Sequence, residues 1–206
     1  MIYDAFKPMP PQQAQDFLTQ VAPLMDGDPF GGAVPRVLTR DLPFYAGYEL
    51  VEAVNQSIYP PVMRAFVRNK ADKQVTLLNW TNEPVYHLNA AVPIALSDDT
   101  ALAYARFFFT YIKGKHGRFL LVDSPDDIEW KDEPPPAGRK ALARMIDPLA
   151  LINKEADGTR ILTGSMIFKD SLFAAKIKIT PDGQVTLFDE ELLVEDIPVR
   201  DDVLGL

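Results

Sequence analysis

The spacing of apolar residues along this chain changes from helical to alternating and back, and those periods predict its elements. Ala14, Phe17, Leu18 and Val21 recur at three- and four-residue intervals, one face of a helix. Pro10 and Pro11 suit its first turn, and Pro23 ends it near Ala22. Residues 27–43 gather Gly27, Pro29, Gly31, Gly32, Pro35 and Pro43, which predicts an irregular arm. From Tyr48 the period becomes two, predicting strands at 48–55, 62–68 and 74–80 with a hairpin loop at 69–73. The polar turn Thr81-Asn82-Glu83-Pro84 then leads into a short segment, 85–88, expected to be extended.

The clearest helix is predicted over 98–113. Ser97 is a fitting N-cap, Asp98 and Asp99 suit the positive end, and Lys113 with Gly114 suits the other. It is apolar around most of its circumference, apart from a stripe of Asp99, Arg106, Thr110 and Lys113 that must face solvent, a cleft or a partner. A buried strand follows at 119–122, then an acidic loop, Pro134-Pro135-Pro136, and a short helix from 138 to 146. Strands near 149–153, 160–169, 171–180 and 184–188, joined by tight turns, predict an antiparallel meander.

The expected fold class is α+β: antiparallel β meanders packed around one long apolar helix, with a second short helix and an irregular N-terminal arm. One domain is expected over 1–206, with the N-terminal helix and arm in 1–45 and the main body in 46–206. The triple proline is the best internal boundary. The pattern leaves open whether the meanders form one curved sheet or two; a helix in the concavity of a curved sheet is a guess by analogy.

Charge and composition mainly exclude. With 29 acidic and 21 basic side chains the formal charge is −8, which repels phosphate backbones and anionic lipid, so neither nucleic acid nor membrane is expected as a partner. The absence of cysteine removes disulfides, thiolate nucleophiles, Fe–S ligation and thiolate zinc sites. No metal and no cofactor are called for. The first residues do not read as a signal peptide, and no apolar run approaches the ~20 residues that span a bilayer. A soluble, cytoplasmic protein is the expectation.

Candidate chemistry is thin. The segment from Lys113 through Gly114, Lys115, His116 and Gly117 to Arg118 invites a phosphate-loop reading, but its glycines follow a helix and sit at its negative end. Asp123, Asp126, Asp127, Glu129, Asp132 and Glu133 crowd one loop, yet Ile128 stands where an EF-hand turn counted from Asp123 needs glycine. Ser57, Ser97, Ser124, Ser165 and Ser171, with His87 or His116 as base, lie in no nucleophile-elbow motif. Among Glu49, Glu52 and Glu83 no carboxylate pair stands out. The acidic and apolar mixture from Asp189 to Asp202 reads as a last edge segment kept soluble by charge. What remains is the cluster around the Thr-Asn-Glu-Pro turn, where Trp80, Tyr86 and His87 mix aromatic faces with polar groups as a small-ligand or peptide rim would.

Several motifs carry a resemblance. Asn79-Trp80-Thr81-Asn82-Glu83-Pro84, then Arg106-Phe107-Phe108 through Gly114, Gly117, Phe119 and Val122, and finally Leu172-Phe173 with Asp182-Gly183-Gln184-Val185, resemble an uncharacterised proteobacterial protein family over roughly residues 45–198. The resemblance implies common ancestry and supplies no catalytic residue. The function expected is therefore a non-catalytic, soluble ligand-binding or protein-interaction module. Its partner is an unknown small ligand or protein, and its site residues are Trp80, Glu83, His87 and Arg106. The alternative is a small cofactor-free enzyme, a hydrolase or isomerase, using His87 or a carboxylate in a pocket; a third option is a subunit whose partner covers the acidic face.

Overall fold

The structure is a computed structural model and describes residues 6–58, 60–114 and 117–200. It is α+β with antiparallel sheets. The chain divides between Asn79 and Trp80 into two compact units. The triple proline lies inside the second.

The first unit carries β1 (Lys7–Pro8), α1 (Pro11–Val21), a 3-10 turn (Ala22–Leu24), β2 (Arg36–Asp41), β3 (Tyr48–Asn55), β4 (Val62–Asn69) and β5 (Val75–Leu78). The strands pair in sequence order and all antiparallel. Alternation puts Val37, Ala53, Val51 and Phe66 on the face that α1 covers with Phe17 and Val21. Phe17 meets Phe66 edge-on at 5.3 Å, and the half-buried Arg68–Glu49 ion pair (2.7 Å) lays its guanidinium over the Phe17 ring. The arm expected to be irregular contains β2, so that expectation is corrected. Six residues between Pro35 and Leu42 are enough for a strand, and the surrounding glycines and prolines mask them. Asp28 accepts the Phe30 and Gly32 amides, and Asn55 donates to the Phe30 carbonyl, which pins the rest of the arm.

The second unit carries α2 (Glu83–Ala91), α3 (Asp98–Tyr111), β6 (Phe119–Val122), a 3-10 turn (Pro125–Asp127), α4 (Pro136–Ala143), β7 (Ala150–Lys154), β8 (Arg160–Phe168), β9 (Ser171–Ile179) and β10 (Val185–Val194). Its sheet runs β10-β9-β8-β6, with β7 pairing the first half of β8 and β6 the second. One face holds Val122, Ile167 and Leu172 under Ile128, Leu142, Ile146, Ile197 and Val199. On the other, α3 packs on β6, β7, β8 and β9. Ser97 and Thr100 form a capping box at its start, and Ala101, Ala103, Tyr104, Ala105, Phe107, Phe108, Phe109 and Tyr111 are buried along it. Among the described residues, no helix is long and apolar enough to cross a membrane.

Residues 85–88, expected to be extended, lie in α2. Four alternating residues fit either period, and the decisive pair is Val85 and Leu88, both buried and three apart on one helix face. Glu83 in the first turn and Pro84 near its start are helix-entry signals that outweigh the alternation. β10 also runs beyond 188, to Val194, through a bulge between Phe188 and Glu191 where Asp189 takes a φ of 53°.

Candidate functional site

α2, the end of α3 and two strand starts line a solvent-open cavity of about 370 Å³ within the second unit. From α3 come Phe108 and Phe109, and Ile112 follows as its C-cap residue, with an extended backbone. The sheet contributes Phe119 from β6 and Val185 and Leu187 from β10. Phe119 pairs with Phe168 and Val185 with Ile179, which places them at diagonally opposite corners of the pairing grid. Both nevertheless line the one cavity beside the end of α3. Tyr86 stacks on Phe108 at 5.9 Å and 27°, and Phe119 on Phe168 at 4.4 Å and 14°, so aromatic pairs brace the lining.

The polar groups gather at one side. Thr81, Asn82 and Gly114 are exposed and mark the mouth, with the half-buried Lys113 beside them. The Lys113 amide donates to the Trp80 carbonyl at 2.7 Å, which ties the end of α3 to the entry of α2. Trp80 takes a φ of 68°, a left-handed conformation that a tryptophan adopts at a cost of about 1 kcal/mol or more. Two contacts hold it there: the Lys113 bond, and the Arg118 guanidinium 5.6 Å from the ring centroid. Arg118 also donates to the Thr110 carbonyl and so satisfies the last turn of α3, as expected of a basic residue following a helix.

The far wall is fastened by a buried polar knot. Tyr104 Oη donates to the Gly183 carbonyl at 2.7 Å, and Asn89 Nδ2 reaches both Tyr104 Oη (2.9 Å) and that carbonyl (3.3 Å). One step along, the Val185 amide donates to Tyr86 Oη at 3.2 Å. Burial pushes the Tyr104 phenol far above its ordinary range, so it stays a donor at any physiological pH. Gly183 has a φ of +80°, and a Cβ there would overlap the Asn89 amide and come within 3.1 Å of Tyr104 Oη. Only glycine fits the Asp-Gly turn against α2 and α3.

The four residues expected at the site are not among those lining the cavity. Trp80 braces its mouth from behind. Glu83 and His87 are exposed on α2. Arg106 lies half-buried and gives Nη2 to both carboxylate oxygens of Asp123, at 2.8 and 2.6 Å. Burial raises the Asp123 carboxyl, but the Arg106 hydrogen bonds, the Leu149 amide and the guanidinium charge together bring it below the usual carboxylate range. Tyr86 and Lys113, which the pattern also singled out, do line the cavity. Phe108, Phe109, Val185 and Leu187 were not foreseen; the first two looked like core, and the others lie about a hundred residues from α2 in sequence.

Other candidate chemistry is absorbed by structure. Asp127 accepts the Asp123 and Ser124 amides, and Asp126 and Glu133 pair with Arg139. No group of three or more metal-ligating side chains occurs among the described residues. Ser57 bonds Asn55, Ser97 and Ser124 cap helical turns, Ser165 accepts the Asp147 amide, and Ser171 bonds Asp170. His116 lies outside the described residues. Comparison with models of known protein families, with curated proteins and with solved structures gives no match.

Proposed function

We propose that the chain is a non-catalytic binding module whose second unit holds a small, largely apolar ligand. The observation that carries this reading is the cavity at the end of α3. At about 370 Å³ it falls in the range of small-molecule sites, roughly 300–1,000 Å³, and it has their usual composition of apolar walls and a few polar groups at one edge. Its described lining residues include no carboxylate and no imidazole, and its reactive groups are a lysine, a threonine and a tyrosine whose hydroxyl accepts a backbone amide. Binding asks only for shape and satisfied polar edges. The resemblance to an uncharacterised proteobacterial family stays, in our reading, a proposal of ancestry.

The neutral fluorophore N-phenyl-1-naphthylamine tests the reading. Its emission should rise saturably, with one molecule bound per chain, and Ile112→Trp or Leu187→Trp should weaken binding at least about tenfold by filling the cavity. Near-ultraviolet circular dichroism of each variant separates a filled cavity from a misfolded chain. No saturable signal, or binding that both well-folded variants leave unchanged, would overturn the proposal.

A further inference from the structure

We infer that the ligand is a neutral amide of the lactam type, with an apolar body of about one or two rings, held by the backbone N–H and C=O of Leu187. This rests on the binding reading above. The site follows from the pairing of the sheet. In an antiparallel pair alternate residues exchange both backbone bonds with the neighbouring strand, and the residues between them turn theirs away. The Thr180 amide donates to the Gln184 carbonyl at 3.0 Å and closes the β9–β10 hairpin, so Thr186 and Phe188 bond β9 while Val185 and Leu187 face outward. Val185 bears this out: its amide donates to Tyr86 Oη at 3.2 Å, and that hydroxyl lies 3.5 Å from its carbonyl.

Leu187, two residues on, repeats the outward turn on the free edge of β10, the last strand of its sheet. Neither its N–H nor its C=O has a partner among the described residues. Leu187 and Tyr86 both line the cavity, so the cavity borders this edge. The window is one residue wide. Tyr86 closes it at Val185, and the bulge between Phe188 and Glu191, where Asp189 takes a φ of 53°, breaks the edge beyond. An added polypeptide strand needs a longer run of outward groups, whereas a single amide needs only these two. The N–H and C=O of one extended residue point the same way, side by side. A ligand answers both when its own C=O and N–H also lie on one side, as in a lactam. A carboxylate would accept from the Leu187 N–H but set its second oxygen against the Leu187 carbonyl, and Lys113 and Thr81 have partners of their own.

Matched probes read it directly. Displacement of N-phenyl-1-naphthylamine is measured on the full chain at neutral pH with isoquinolin-1(2H)-one and with isocoumarin, the lactone in which a ring oxygen replaces the N–H. The lactam should compete at least about tenfold better, because the lactone has no donor and turns an oxygen lone pair to the Leu187 carbonyl. The Leu187 amide resonance should move downfield as the lactam saturates the chain. Leu187→Pro removes the outward N–H, which an edge strand tolerates, and should weaken the lactam at least about tenfold. Leu187→Val trims the side chain but keeps the N–H, and should weaken it by no more than about threefold. Near-ultraviolet circular dichroism checks the fold of both variants. Equal displacement by lactam and lactone overturns the inference while leaving the cavity reading intact. So does an equal loss in well-folded Leu187→Pro and Leu187→Val, and so does a Leu187 amide that stays unmoved at saturation, which needs no variant. Fluorophore binding that neither compound displaces also overturns it, because the cavity then rejects the proposed body. Failure of the fluorophore itself to bind overturns both.

Discussion

At the scale of single residues, the structure explains why particular side chains stand where they do. Gly183 is the sharpest case: its backbone is left-handed and its missing Cβ makes room for Asn89 and Tyr104. Gly183→Ala should cost about 2–3 kcal/mol and lower the melting temperature by roughly 5–10 °C, read by scanning calorimetry. An unchanged melting temperature would mean that the knot is looser than its geometry. Arg106 and Asp123 give a second test. The folded Asp123 carboxyl sits below its unfolded value, so the pair contributes above the unfolded pKa near 4 and is lost as pH falls through the folded one. Asp123→Asn should therefore destabilise by about 1 kcal/mol at pH 7, a figure kept small because the carboxylate is 39 % exposed. In urea titrations across pH, the gap from wild type should close below about pH 4; a gap that persists there would assign the effect to packing.

At the scale of elements, periodicity carried much of the architecture and failed where two periods compete. β3 and β6 lie where alternation and a bounded apolar run place them, at 48–55 and 119–122. α3 begins at Asp98 because Ser97 and Thr100 exchange hydrogen bonds across its first turn. Ser97→Ala should lower stability by about 1 kcal/mol, measured by urea denaturation, with Ser97→Asp recovering most of it; no loss would show that tertiary burial alone holds the helix. β2 was hidden by flanking glycines and prolines. α2 was hidden because Val85 to Leu88 alternate over only four residues, and burial of Val85 with Leu88 settles the period. The site suffered from the same local blindness. Phe108 and Phe109 are apolar residues on a mostly buried helix, and nothing in their spacing separates a core face from a cavity wall. Val185 and Leu187 join them from β10, far away in sequence, a long-range property. Lys113 was visible as a break in an apolar helix, which a cleft explains.

At the scale of the whole molecule, two compact units of different build follow one another, a five-stranded antiparallel sheet with a helix on one face and a second sheet with α3 and α4 on opposite faces. The central claim is that the cavity at the end of α3 is the binding site. The most direct measurement is a ¹H–¹⁵N correlation spectrum titrated with N-phenyl-1-naphthylamine. The account predicts that the amides of Thr81, Asn82, Ile112, Lys113, Val185 and Leu187 move together and saturate at one equivalent, while that of His87 moves little. Shifts that cluster on another surface, or none at one equivalent, would contradict it.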